Sequence, residues 1–221
     1  MKLMIGMGVT ESKAYCFADV MTALKTTTIP KDFDSKGLQF IFNSLDSGFY
    51  QLYADVLYKL HMPFMQLDIA PVEDTMQNKV NVRNALLAAA KQTGCDALLM
   101  LDADIALLPH TIEAMWMCAK QTEADVVTVP YAVTNGDKVC RDIFLLSSGG
   151  LHIIESDTGL PNYLKVDACG MGCVLLRNKA LDVPFRLTDK PEDLQWCDDY
   201  DGDIICLGQE EVKHKVEVKN E

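Results

Sequence analysis

Up to about Gln121 the sequence alternates two kinds of apolar segment, and this alternation narrows the fold more than any other feature. Lys2 to Thr10 reads as a short buried strand and Lys13 to Lys25 as a helix. Leu38 to Phe42 reads as a second strand, stopped by the turn-rich NSLDSG. Phe49 to Leu60 has helical spacing, and Pro63 to Ile69 reads as a third strand. Asn78 to Lys91 is an Ala- and Leu-rich helix with Gly94 at its end. Ala97 to Leu101 is apolar throughout, as a central parallel strand covered on both faces must be. Pro109 then stands near the first turn of a helix that runs to about Gln121. This alternation predicts an α/β fold, with a mostly parallel central sheet flanked by helices. After Asp125 the pattern changes. DVVTVPY is a strand, TNGD a turn, and LHIIESDTGLPNYLKVDACGMGCVLLR reads as a hairpin leading into a long strand, so the second half is mixed. All 221 residues are expected to form one domain, with residues 1–104 and 105–221 as its two functional halves.

Composition excludes several function classes. Hydrophobic residues make up 49% of the chain, enough for a large core, and the formal net charge is −12. An acidic surface does not suit a nucleic-acid backbone, which is bound through Lys and Arg. It still suits a phosphorylated small molecule if a metal ion bridges carboxylates and phosphates. The 8 cysteines form no CxxC pair and mostly stand in apolar contexts, so they read as reduced core residues of a cytoplasmic protein. The N-terminus lacks a signal-peptide pattern, and no apolar stretch is long enough to span a membrane.

The strand Ala97 to Leu101 ends in Asp102-Ala103-Asp104, a DxD. The chain holds other acidic pairs of this form (Asp32/Asp34, Asp199/Asp201, Asp201/Asp203), so the pair alone carries little weight. Its place at the carboxyl end of the most apolar strand does, because ligands of open α/β sheets bind there. In an extended segment residues two apart face the same side, so both carboxylates would face one ligand. Nothing beside them in sequence neutralises them. A divalent cation would, and hard oxygen ligands suit Mg²⁺ or Mn²⁺.

Three blocks carry a resemblance. RNALLAAAKQTGCDALLMLDADIALLPHTIEAMW is similar to the central segment of the GT-A glycosyltransferases, especially the family 2-like enzymes. VDACGMGCVLLRNKAL, with Gly172, resembles their glycine-containing strand, which lines the sugar and acceptor site. PEDLQWCDDYDGDIICLGQEEVKHK resembles their xED motif and the histidine that follows it. The resemblance implies a GT-A fold and transfer of a sugar from a nucleoside-diphosphate sugar to an acceptor hydroxyl, with Mn²⁺ or Mg²⁺. It implies that Asp102 binds the donor ribose or the metal shell, that Asp104 binds the metal, and that His214 is the third protein contact to the metal. Asp193 would be the general base of an inverting enzyme, with Glu192 orienting the acceptor. A helix start at Pro191 would keep Asp193 ionised. Arg83 would contact the diphosphate. Thr10, Glu11 and Asn43 stand where the family places nucleotide-binding residues, although GMGVTESK and NSLD depart from the usual motifs. The acceptor (glycan, lipid-linked or protein) has no readable code, and the chain's end soon after His214 suggests a minimal enzyme working with a partner or as a homo-oligomer.

Other readings meet obstacles. A haloacid dehalogenase-type phosphatase has its DxD after the first strand rather than about a hundred residues into the chain. A nucleotidyltransferase of related fold needs a Gly-rich basic loop, and GMGVTESK has no arginine. A non-catalytic sugar-binding protein would not need Asp104, Asp193 and His214 together.

Overall fold

The computed structural model describes residues 1–33, 35–42, 54–59, 65–68, 75–135 and 138–215. The first half forms as the alternation requires: β1 (Lys2–Val9), α1 (Ala14–Thr26), β2 (Ser35–Phe42), helix α2 (54–59) and β3 (Met65–Asp68). Then follow α3 (Met76–Gln92), β4 (Ala97–Asp102), β5 (Ile105–Ala106) and α4 (Thr111–Thr122). The second half contributes β6 (Val126–Thr128), β7 (Ala132–Asn135), β8 (Lys138–Ser147), β9 (Gly150–Glu155), β10 (Tyr163–Val166), β11 (Ala168–Cys169) and β12 (Cys173–Arg177). It ends with α5 (Glu192–Asp199), β13 (Ile204–Leu207) and β14 (Lys213–His214).

The main sheet has eight strands in the order β10-β13-β6-β12-β4-β1-β2-β3. β1 to β4 are parallel, whereas β12 runs antiparallel to both β4 and β6. The central strand β4 therefore has a parallel neighbour on one side only. The sequence does not reveal this direction, because a fully buried apolar run looks the same either way. The chain moves outward from β1 to β2 and β3, then returns to β4 on the other side of β1. This reversal makes the β1/β4 carboxyl ends a topological switch point. Gly8 pairs with Asp102 across it.

Side-chain alternation along β1 feeds two cores, one on each face of the sheet. Leu3, Ile5, Met7 and Val9 pack with Leu99, Leu101, Phe17, Met21 and Met115 under α1 and α4. Met4, Leu98 and Met100 pack with Leu86, Leu87, Val174 and Trp196 under α3 and α5. Truncating a residue such as Leu99, fully buried, would be expected to cost about 2–5 kcal/mol. The two glycines of GMG belong to this packing. A Cβ on Gly6 would lie 2.6 Å from Leu86 Cδ2, and one on Gly8 would lie 2.7 Å from Val82 Cγ1, so glycine lets α3 approach the strand.

The second half departs from its expected layout. β9 pairs back with β8 rather than forward, while β10 joins β13 at the edge of the main sheet. The expected long strand is broken into β11 and β12 at Gly170-Met171-Gly172. β11, β8 and β7 form a second sheet, with β9 on β8. The two-residue strand β14 pairs with β5, setting His214 opposite Ile105. All eight cysteines are free and, apart from Cys95, buried. No helix among the described residues is long and apolar enough to cross a membrane.

Candidate active site

A cleft of about 450 Å³ opens at the switch point, lined by Thr10, Lys13, Arg83, Asp102, Asp104, Asp142, Glu192, Asp193 and His214 among others. Six of the residues expected from the DxD, the helix arginine, the xED block and the terminal histidine thus meet in one place. Thr10 joins them from the end of β1. Asn43 lies outside the described residues, as does the side chain of Glu11. Gly172 stands behind the wall rather than on it, in contact with Tyr131, where a Cβ would lie 2.7 Å from the phenol oxygen.

The DxD does not present both carboxylates in parallel. Asp102 is the last residue of β4, and the chain turns at Ala103 and Asp104 before β5. The turn sends the two carboxylates to different partners. Asp102 Oδ1 lies 3.7 Å from Arg83 Nη2, with 45% of its side chain open to the cleft. Its burial against the cleft floor raises the carboxyl above the usual range, against the pull of Arg83. Asp104 is buried, and its Oδ2 accepts from Lys13 Nζ at 2.5 Å and faces His214 Nε2 at 3.1 Å. Burial alone would raise the Asp104 carboxyl, but the hydrogen bonds from His214 and Lys13 outweigh it and hold the carboxyl below the usual value. The expectation that no side chain neutralises this pair is corrected. Lys13, Arg83 and His214 do so, reaching it from segments that sequence neighbourhood does not reveal.

His214 reaches Asp104 because β14 lies on β5, and Lys215 N donates to the Asp104 carbonyl at 2.7 Å. The other ring nitrogen, Nδ1, lies 2.7 Å from the carbonyl of Ala132. Both neighbours are acceptors, so a protonated ring satisfies both. The hydrogen bond to Asp104 raises the His214 pKa. Lys13 comes from the 3₁₀ turn Glu11–Lys13 that joins β1 to α1. Burial would lower its pKa, but the bond to Asp104 prevails and raises it.

These contacts decide whether the divalent ion implied by the DxD resemblance fits. An ammonium already sits on the Asp104 oxygen that faces His214, and Asp102 is turned to Arg83. Among the described residues no three His, Cys, Asp or Glu side chains converge as a metal cage. The donor set in this arrangement does not fit a divalent cation.

The opposite wall comes from α3 and α5. Arg83 is 11% exposed, and Nη1 donates to the Met171 carbonyl at 3.1 Å. Its Nε lies 3.5 Å from Glu192 Oε1. Glu192 is thereby buried onto Arg83 while still lining the cleft. Asn84, next in the Arg-Asn pair, clamps the approach to α5: Nδ2 donates to the Phe185 carbonyl at 2.9 Å, and Phe185 N donates to Oδ1 at 2.8 Å. Trp196 anchors the helix, stacked between Phe185 and Tyr200, with its indole N–H on the Val183 carbonyl at 2.9 Å. Asp193 is held at the first turn, where Oδ1 accepts from Leu194 N at 2.8 Å. Burial, with Glu192 beside it, pushes its carboxyl up to about 6. Desolvation outweighs the helix end, so the carboxyl titrates above the usual range yet is still mostly ionised at neutral pH.

Sequence reasoning missed Asp142. Its Oδ2 accepts from the Tyr131 hydroxyl at 2.5 Å, and that oxygen in turn accepts from Gly172 N at 3.2 Å. Burial raises the Asp142 carboxyl despite this bond. A Cβ on Gly170 would lie 1.5 Å from Asp142 Oδ2, so glycine at 170 makes room for the pair. Nothing in KVCRDIF sets this aspartate apart from the other acidic residues of the chain.

By sequence, neither a protein-family model nor a curated protein matches this chain. By structure it is similar to S. aureus TarS 1–349 in complex with UDP-GlcNAc, with a TM-score of 0.63 and 16% identity, covering 100% of this chain and 60% of TarS 1–349. The UDP complex of TarS 1–349 gives 0.62 and 18%, over 98% of this chain and 61% of that one. A197 from STIV gives 0.56 and 14%, over 98% and 87%. The fold is that of a glycosyltransferase. The chain spans about 60% of the length of TarS 1–349. The expected mixed α/β sheet flanked by helices is therefore the architecture present.

Proposed function

We propose that this chain is a glycosyltransferase of GT-A type, close to the family 2-like enzymes, that moves a sugar from a nucleoside-diphosphate sugar to an acceptor hydroxyl. The observation that carries the proposal is the placement of a half-buried carboxylate, Asp193, in one cleft with the cations Lys13 and Arg83 at the β1/β4 switch point. Such a cleft receives a diphosphate on one side and a reacting hydroxyl on the other. The likeness to TarS, which was crystallised with UDP and UDP-GlcNAc, supports a donor of this class.

In this reading Asp193 takes the proton of the acceptor hydroxyl as its oxygen attacks the anomeric carbon. The bond from that carbon to the diphosphate breaks, and the electron pair leaves with the nucleoside diphosphate. Attack from the side opposite the leaving group inverts the configuration. A carboxyl near 6 suits the task, since it is mostly ionised at neutral pH yet basic enough to accept a proton. Lys13 and Arg83 offset charge on the leaving group, and Asp102, open to the cleft, is placed to accept from the ribose. Thr10, which lines the cleft, would contact the nucleotide in this reading. The expected Mn²⁺ or Mg²⁺ has no step here, because Lys13 occupies Asp104. We assign residues 1–221 to one catalytic unit.

The test is incubation with a panel of nucleoside-diphosphate sugars, UDP-GlcNAc first, with release of the nucleoside diphosphate followed by chromatography. Slow donor hydrolysis without acceptor is expected for at least one donor. If no sugar nucleotide is bound or hydrolysed, the proposal fails. Proton NMR of the transferred sugar's anomeric centre tests inversion.

A further inference from the structure

We propose that Lys13 is the resident cation of this site, and that it receives the donor diphosphate in place of a metal ion. The inference rests on the glycosyltransferase reading above and adds to it that nucleotide binding needs no divalent cation.

Three observations carry it. First, Lys13 Nζ lies 2.5 Å from Asp104 Oδ2, the oxygen that His214 Nε2 approaches to 3.1 Å. A cation is therefore already built in where a DxD would hold one, and a divalent ion would have to drive it out. Second, Lys13 stands at the switch point itself. It is delivered by the turn after β1 to the carboxylate after β4, 91 positions away, and 36% of its side chain remains exposed toward the cleft. An ammonium carries three donors, and Asp104 accounts for one of them. Third, the other cation beside the acidic pair is committed. Arg83 is buried between Asp102, Glu192 and the Met171 carbonyl, so its charge is shared among protein groups. Lys79 lies at the exposed rim. Lys13 combines a buried counter-charge that fixes its position with a face open to a ligand, as a phosphate-binding group requires.

The experiment is calorimetric titration of UDP, GDP, CDP and ADP into the full chain, once in EDTA and once in Mn²⁺. At least one diphosphate is expected to bind in EDTA within about 3-fold of its Mn²⁺ affinity. Lys13→Met should weaken that binding in EDTA by about 10-fold or more, the worth of one charge-assisted hydrogen bond. Mn²⁺ should restore part of the loss, since Asp104 and His214 are then free to take an ion. Affinity for the parent nucleoside should not move, which separates a phosphate contact from a structural role. Lys13→Arg, which keeps the charge, should lose less than Lys13→Met. Binding by the wild type that appears only with Mn²⁺ overturns the inference and leaves the glycosyltransferase reading standing. So does Lys13→Met binding as tightly as the wild type in EDTA, or Lys13→Arg falling as far as Lys13→Met. No diphosphate binding in either condition overturns both.

Discussion

His214 Nε2 lies 3.1 Å from Asp104 Oδ2, although 110 positions separate the two residues. The bond favours the charged form of each partner: the His214 pKa is raised and that of Asp104 lowered. Stability gained through His214 is therefore full below its usual pKa of 6.5 and fades as pH rises through the raised value. The Asp104 share runs the other way. It is present above 3.8 and fades as pH falls through the lowered value. His214→Gln should be less stable than the wild type, with the gap widest between pH 4 and 6.5 and narrowing in more alkaline buffer. Urea denaturation across that range measures it, and a gap that grows with pH would contradict the pairing.

Asp193 sets activity against stability. With its carboxyl at about 6 rather than 3.8, the folded protein favours the protonated form. Stability should fall between those values as the buried group is forced to ionise, by about 3 kcal/mol in all at 1.36 kcal/mol per unit. Asp193→Asn removes this penalty, so at neutral pH it should unfold several degrees higher than the wild type. The same variant should lose transfer by about 10²–10⁴-fold while still binding nucleotide. In the wild type, kcat/KM should rise with pH through about 6 and then level off. Scanning calorimetry and a pH–rate profile check the two halves.

Arg83 is enclosed by Asp102, Glu192 and the Met171 carbonyl. Arg83→Met would leave Glu192 buried without a cation, at a cost of about 3–5 kcal/mol. Arg83→Lys should recover only part of this, since one ammonium cannot reach all three partners as the planar fork does. The midpoints of urea unfolding rank the three proteins.

The contrast between what was and was not readable follows from range and direction. The DxD strand, Arg83, the xED helix start and His214 each carry a local signature, and their order along the chain was enough to expect them in one site. Lys13 has none. A single lysine in VTESK looks like any surface charge, and its partner lies across the β1/β4 reversal. The antiparallel run of β12 was hidden because CVLLR is apolar throughout and carries no sign of strand direction. Asp142 was hidden because only the folded sheet brings it under Tyr131. The low acidity of Asp193 was misjudged because helix position can be read from Pro191, whereas the depth of burial cannot.

Gly170 offers a steric test of that hidden corner. A methyl group there would fall 1.5 Å from Asp142 Oδ2 and 2.4 Å from the Tyr131 hydroxyl, so Gly170→Ala must push both aside. A loss of about 1–3 kcal/mol is expected, as for other overpacked sites. Gly172→Ala, with its nearest contact at 2.7 Å, should lose less. Thermal unfolding of the two variants should preserve this order.

The two-residue pairing of β14 with β5 has a consequence for how the protein comes into being. Lys13 precedes Asp104 by 91 positions and His214 follows it by 110, yet both rest on one oxygen of Asp104. A nascent chain that has already assembled β1, β4 and α3 still lacks the clamp on its acidic turn. The clamp on Asp104 is thus complete only when synthesis has passed residue 214, and the pocket it borders is finished no earlier.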